Sequence, residues 1–149
     1  MKTKNESISL ELFSTEARSQ LEVEVALSNI QAGFPSPATD YMTEAIDLNK
    51  ELVHHPECTF FARVKGDSMQ DAHILDGDLA VVDKSRTAQD GDFVVAFIDG
   101  EFTIKEFRNA PDGKSGWLIP HNSKYPKIHI TEENEFIIWG VITYLIHKT

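Results

Sequence analysis

The chain has 149 residues, with 14 Lys plus Arg against 24 Asp plus Glu and a formal net charge of -10 at pH 7. That length bounds one core domain with sequence left over for an arm or tail, and an acidic balance without any Lys/Arg block argues against direct binding of duplex DNA. Cys58 is the only cysteine, which excludes an intrachain disulfide and fits a reducing, cytoplasmic setting.

Residues 1 to 31 are polar and show no clean helical or strand period, which predicts an N-terminal arm. Lys2 and Lys4 resemble the start of a signal peptide, but Glu11 and Glu16 interrupt any apolar run after them. In "AGFPSPATDY", residues 32 to 41, Pro35 and Pro37 deny helix and remove backbone donors, while Gly33 allows close approach to another surface. An extended segment is expected there.

From residue 59 the pattern changes to short runs rich in β-branched and aromatic residues, separated by turn residues. "TFFARVK" ends at Gly66-Asp67, "LAVVD" follows Asp76-Gly77-Asp78, and "FVVAFI" runs through Asp99-Gly100 into "EFTIKEF". The Asp-Gly pair predicts a tight hairpin. "GWLIP", "KIHI" and "FIIWGVITYLI" (residues 136 to 146) complete a mainly β, mostly antiparallel domain. The last of these is about half the roughly 20 residues a membrane-spanning helix needs, so no membrane partner is expected.

In "EFTIKEF", alternation puts Phe102, Ile104 and Glu106 on one side and Thr103, Lys105 and Phe107 on the other. Lys105 alone reads as a solvent-facing charge, and Ser68 within "GDSM" alone reads as a turn hydroxyl. Together they permit another chemistry. A serine needs a base to become a nucleophile, and none of the six histidines stands in a Ser/His/Asp spacing. The adjacent His54 and His55 diverge too far on a strand to chelate one metal, and no metal or other cofactor is expected. A neutral lysine can replace histidine, provided burial lowers its pKa from about 10.4.

Gly66-Asp67-Ser68-Met69, then Asp76-Gly77-Asp78 opening a strand, then Asp99-Gly100-Glu101 leading to Lys105, resembles the LexA-type self-cleaving peptidases. "GFPSPATDY" and "HNSKY" are similar to the UmuD-like branch of that family, the SOS mutagenesis proteins. The resemblance covers about residues 30 to 148. It implies a LexA/UmuD C-terminal-type fold of twisted antiparallel sheets over residues 33 to 149, behind a flexible arm of residues 1 to 32. It also implies Ser68 as nucleophile, Lys105 as general base and Ala32-Gly33 as the bond cut, with backbone N–H groups of Ser68 and Met69 as oxyanion donors. The implied partners are a second copy in a homodimer, a RecA filament on single-stranded DNA that promotes cleavage, and a UmuC-like Y-family polymerase subunit.

Only 32 residues precede the bond, with three basic and five acidic side chains, which is too little for a helix-turn-helix DNA-binding domain. In the arm, "SLELF" (residues 9 to 13) is similar to peptides that bind the replication sliding clamp, with Leu12 and Phe13 as apolar anchors. The alternative is that both pack on the protein's own sheet. Trp117 and Trp139 are expected in the core or at a dimer contact, and Cys58 as a buried small apolar residue. Two function classes stay open: a self-processing serine peptidase serving a translesion polymerase, or a non-catalytic dimeric binding module of the same fold.

Overall fold

The computed structural model describes the backbone of residues 11–14, 22–26 and 43–149, and side chains from residue 45 onward. Among the described residues ten strands form: β1 (Glu11–Ser14), β2 (Glu22–Ala26), β3 (Thr43–Asp47), β4 (Thr59–Arg63), β5 (Leu79–Asp83), β6 (Phe93–Ile98), β7 (Glu101–Asn109), β8 (Gly116–Ile119), β9 (Ile128–Ile130) and β10 (Phe136–Ile146). The mainly β expectation is met. One unit contains β2 and β3, paired antiparallel, with the short helix α1 (Leu48–Leu52) after them. Asp47 caps α1 by accepting from the Asn49 N–H at 3.0 Å.

The other unit is an eight-stranded antiparallel sheet in the order β1-β4-β5-β10-β6-β7-β8-β9. β1 and β2 fall where the sequence showed no clean period; their backbone ladders are made with β4 and β3. The runs after residue 59 become strands because apolar side chains are needed on both faces of the sheet. Val95 of β6 and Ile104 of β7 enter one core cluster with Val64, Met69, Ile74, Ala80 and Val82. Val94, Ala96, Phe107, Leu118, Ile130 and Val141 form the other. A sheet buried on both faces explains a run as continuous as "FVVAFI".

β10 bridges β5 and β6, with register shifts at Ile138/Gly140 and Ile142/Tyr144. At Gly140 a Cβ would stand 2.5 Å from Val82 Cγ1 and 3.2 Å from the Asp83 carbonyl oxygen, so the strand crosses here only without a side chain. The β6–β7 turn is the one expected. Asp99 and Gly100 have φ of 46° and 89°, as a two-residue hairpin with both central residues left-handed requires. Trp139 packs against the first core cluster, 4.9 Å from Phe60 and 5.9 Å from Phe102 between ring centroids. Trp117 is at the surface, stacked on His129 at 4.4 Å. Cys58 is half-buried rather than buried, at the end of a 3-10 turn whose carbonyl accepts from Lys84 N–H.

Candidate active site

Between β4 and β5 the chain makes a loop closed at its base by backbone pairing. Val64 N–H donates to the Asp78 carbonyl at 2.9 Å and Gly77 N–H to the Val64 carbonyl at 2.7 Å. Gly66 turns the chain with φ of 94°, and its N–H donates to Asp76 Oδ1 at 2.8 Å. Within the loop, Met69 and Ile74 drop into the core and anchor it. Ser68 precedes Met69 and is 2% exposed, so its hydroxyl is held inside rather than displayed on a turn.

The residue that meets it comes from the middle of β7. Lys105, 6% exposed, places Nζ 3.1 Å from Ser68 Oγ, 2.6 Å from Thr103 Oγ1 and 3.0 Å from the Ile104 carbonyl oxygen. Desolvation pushes its pKa down from 10.5 to about 8. None of the six histidine rings hydrogen-bonds Ser68 Oγ. His54 and His55 lie exposed on a connection, and His121 meets the loop through its backbone, its N–H donating to the Ser68 carbonyl at 2.9 Å.

The three oxygens around Nζ can each accept from a Lys105 ammonium. A neutral amine donates only to Thr103 Oγ1 and the Ile104 carbonyl and turns its lone pair to the Ser68 hydroxyl proton. An ammonium has three donors and no lone pair, so the same geometry cannot draw a proton from Ser68 until Lys105 is neutral.

The structure therefore brings together Ser68 and Lys105, 37 residues apart in sequence. Met69 adjoins Ser68, and among the described residues no acceptor takes the N–H of either. Ala32 and Gly33 lie outside the described residues, as does the boundary expected between them. The backbone of Leu12 and Phe13 runs in β1, opposite Ala62 and Phe61 of β4. Sequence reasoning placed Thr103 on the Lys105 face without giving it a role; the i, i+2 relation on a strand was the available signal. It gave no role to Asn122 or Tyr125, whose contacts with Asp67 span 55 and 58 residues.

A family model described as Peptidase S24-like matches residues 24–143. The chain belongs to that family. Among relatives of this S24 chain, MucA of Salmonella typhimurium is 41% identical over 137 residues, covering 91% of this chain and 92% of MucA. SamA of Salmonella typhimurium strain LT2 is 46% identical over 118 residues, covering 79% of this chain and 80% of SamA. The LexA repressor of Carboxydothermus hydrogenoformans is 40% identical over 129 residues, 86% of this chain and 62% of the repressor. These relatives bear out the resemblance to LexA-type and UmuD-like proteins and set the chain in a family of self-cleaving peptidases. Among the described residues no helix is long and apolar enough to cross a membrane.

Proposed function

We propose that this S24 chain is a self-cleaving Ser-Lys peptidase of the SOS mutagenesis type, which cuts its own Ala32-Gly33 bond. The observation that carries the reading is the buried 3.1 Å contact between Lys105 Nζ and Ser68 Oγ. A lysine costs free energy in such a place, and the lowered pKa makes it serviceable as a base near neutral pH.

Neutral Lys105 takes the Ser68 proton as Oγ attacks the Ala32 carbonyl carbon. The oxyanion is received by backbone N–H groups of Ser68 and Met69. Collapse breaks the C–N bond, and the Lys105 ammonium returns the proton to the Gly33 amine as it leaves. The acyl group on Ser68 is then released by a water that attacks its carbonyl carbon as Lys105 accepts the water proton; the bond to Oγ breaks and Lys105 passes that proton to Oγ, which regenerates the hydroxyl and the neutral amine. The absent side chain of Gly33 and the small one of Ala32 suit a chain bent into contact at about 3 to 3.5 Å from Oγ.

The resemblance to UmuD-like proteins supports the setting: cytoplasmic, homodimeric, stimulated by a RecA filament on single-stranded DNA, and joined after cleavage to a UmuC-like polymerase subunit. The sliding clamp is a further candidate partner through Leu12 and Phe13. Intact-mass measurement after incubation with RecA, an ATP analogue and single-stranded DNA tests the chemistry. Loss of a 32-residue fragment, leaving Gly33 as the new N-terminus, is expected for the wild type and not for Ser68→Ala. A different N-terminus, or unchanged cleavage in Ser68→Ala, overturns the reading.

A further inference from the structure

The nucleophile loop is held from one side by a segment that has no part in the proton transfers. Between β8 and β9, residues 121 to 125 make four contacts with it. Asn122 Nδ2 donates to the Asp67 carbonyl at 2.9 Å, and Tyr125 Oη–H donates to Asp67 Oδ1 at 2.5 Å. His121 N–H donates to the Ser68 carbonyl at 2.9 Å, and the His121 carbonyl accepts from Asp71 N–H at 2.8 Å. Asn122 is 5% exposed, and its Oδ1 accepts from Lys124 N–H at 3.0 Å, which fixes the amide with Nδ2 toward Asp67.

The same segment is tied to the base. β8 pairs with β7, Ile119 opposite Glu106, so the strand that carries Lys105 leads through its neighbour directly into residues 121 to 125. One continuous framework thereby holds both members of the pair: Lys105 through the ladder, Ser68 through Asp67 and through the His121 N–H on its own carbonyl. We propose that Asn122 and Tyr125 are positioning residues that set the Ser68–Lys105 separation by fixing Asp67. This rests on the reading of Ser68 and Lys105 as nucleophile and base.

The physical ground is the steepness of reactivity with distance. A displacement of about 1 Å in a reacting group can cost roughly 100-fold, and the loop has its own anchors in Met69 and Ile74, so loss of one polar tether shifts it without unfolding it. Tyr125→Phe removes a hydrogen bond to the side chain of Asp67 and leaves the ring. Asn122→Asp keeps the shape and sets an acceptor against the Asp67 carbonyl. Asp67→Asn retains an oxygen for Tyr125, whereas Asp67→Ala does not.

The test uses the full chain and two readouts: the rate of spontaneous self-cleavage from about pH 7 to 10.5, and the rate at which a fluorophosphonate probe labels Ser68. Asn122→Asp and Tyr125→Phe are expected to lower the alkaline plateau of cleavage about 10- to 100-fold and slow labelling in parallel, with the apparent pKa unmoved because the surroundings of Lys105 are intact. Asp67→Asn should stay within about threefold of wild type, and Asp67→Ala combined with Tyr125→Phe should be no slower than Asp67→Ala alone. Rates within threefold of wild type in both Asn122→Asp and Tyr125→Phe overturn the proposal, as does a fall that comes with a displaced pKa or a lost thermal transition. Wild-type cleavage that persists in Ser68→Ala overturns the underlying reading instead, and shows itself before any residue of the segment is changed.

Discussion

Lys105 Nζ stands closer to Thr103 Oγ1, at 2.6 Å, than to Ser68 Oγ, at 3.1 Å. The two residues share a strand face, so the threonine hydroxyl is carried along with the amine and orients it whatever the Ser68 loop does. Thr103→Val keeps the shape and removes the acceptor, freeing one N–H to rotate toward Ser68 and turn the lone pair away. A roughly 10-fold slower cleavage is expected, with Thr103→Ser near wild type. Equal rates in Thr103→Val and wild type would show that Lys105 is oriented by the Ile104 carbonyl and packing alone.

The pKa of about 8 on Lys105 fixes the pH dependence. Only the neutral amine accepts a proton, so spontaneous cleavage should rise about fivefold from pH 7 to pH 8, reach half its maximum at pH 8 and flatten about one unit above it. At pH 7 about a tenth of the plateau rate is expected. A carboxylate base would already be ionised at pH 7 and show no such limb. First-order rates of arm loss between pH 7 and 10.5 check this, and a flat profile removes Lys105 as the base.

The strands and the Asp99-Gly100 turn were legible because they depend on local pattern: β-branched runs bounded by turn residues, and φ values that Asp and Gly tolerate. β1 and β2 were not, since each is four or five residues whose partners, β4 and β3, supply the ladder. Ser68 and Lys105 were found as a pair through the family resemblance; alternation alone left Lys105 indistinguishable from a solvated charge. Its burial arises from both sheet faces being covered, which no single strand reveals. Asn122 and Tyr125 both lie in "HNSKY", but their meeting with Asp67 is created by the chain's return through β8 and has no signature within five residues.

Glycine serves two different ends in this sheet, and alanine substitution separates them. Gly140→Ala forces a methyl against Val82 Cγ1 and the Asp83 carbonyl, and should destabilise by about 1–3 kcal/mol through overpacking. Gly100→Ala meets nothing within 4 Å, so its cost of about 1–2 kcal/mol comes from φ of 89° alone. Adding Val82→Ala should return part of the loss in Gly140→Ala and none of that in Gly100→Ala, measured by urea unfolding. Equal effects of Val82→Ala in both backgrounds would refute the steric account.

Burial of Lys105 makes the fold less stable than it could be, with a pH signature of definite sign. Its folded pKa of about 8 lies below the value near 10.4 of the unfolded chain, so between these limits the unfolded state binds more protons and stability rises with pH. Below pH 8 both states are protonated and the full penalty applies, about 3 kcal/mol. Lys105→Met removes the charge in a side chain of similar length but leaves Thr103 Oγ1 and the Ile104 carbonyl without their donor, which offsets part of the gain. In a Ser68→Ala background, where self-cleavage cannot interfere, Lys105→Met should be about 1–3 kcal/mol more stable at pH 6 to 7 by urea unfolding. The advantage should shrink as pH climbs from 8 and disappear or reverse near 10.5, where the amine is neutral in both states. A gain that is the same at pH 7 and pH 10 would mean that Met improves packing rather than relieving a buried charge, and the desolvated amine would lose its place in the account of catalysis.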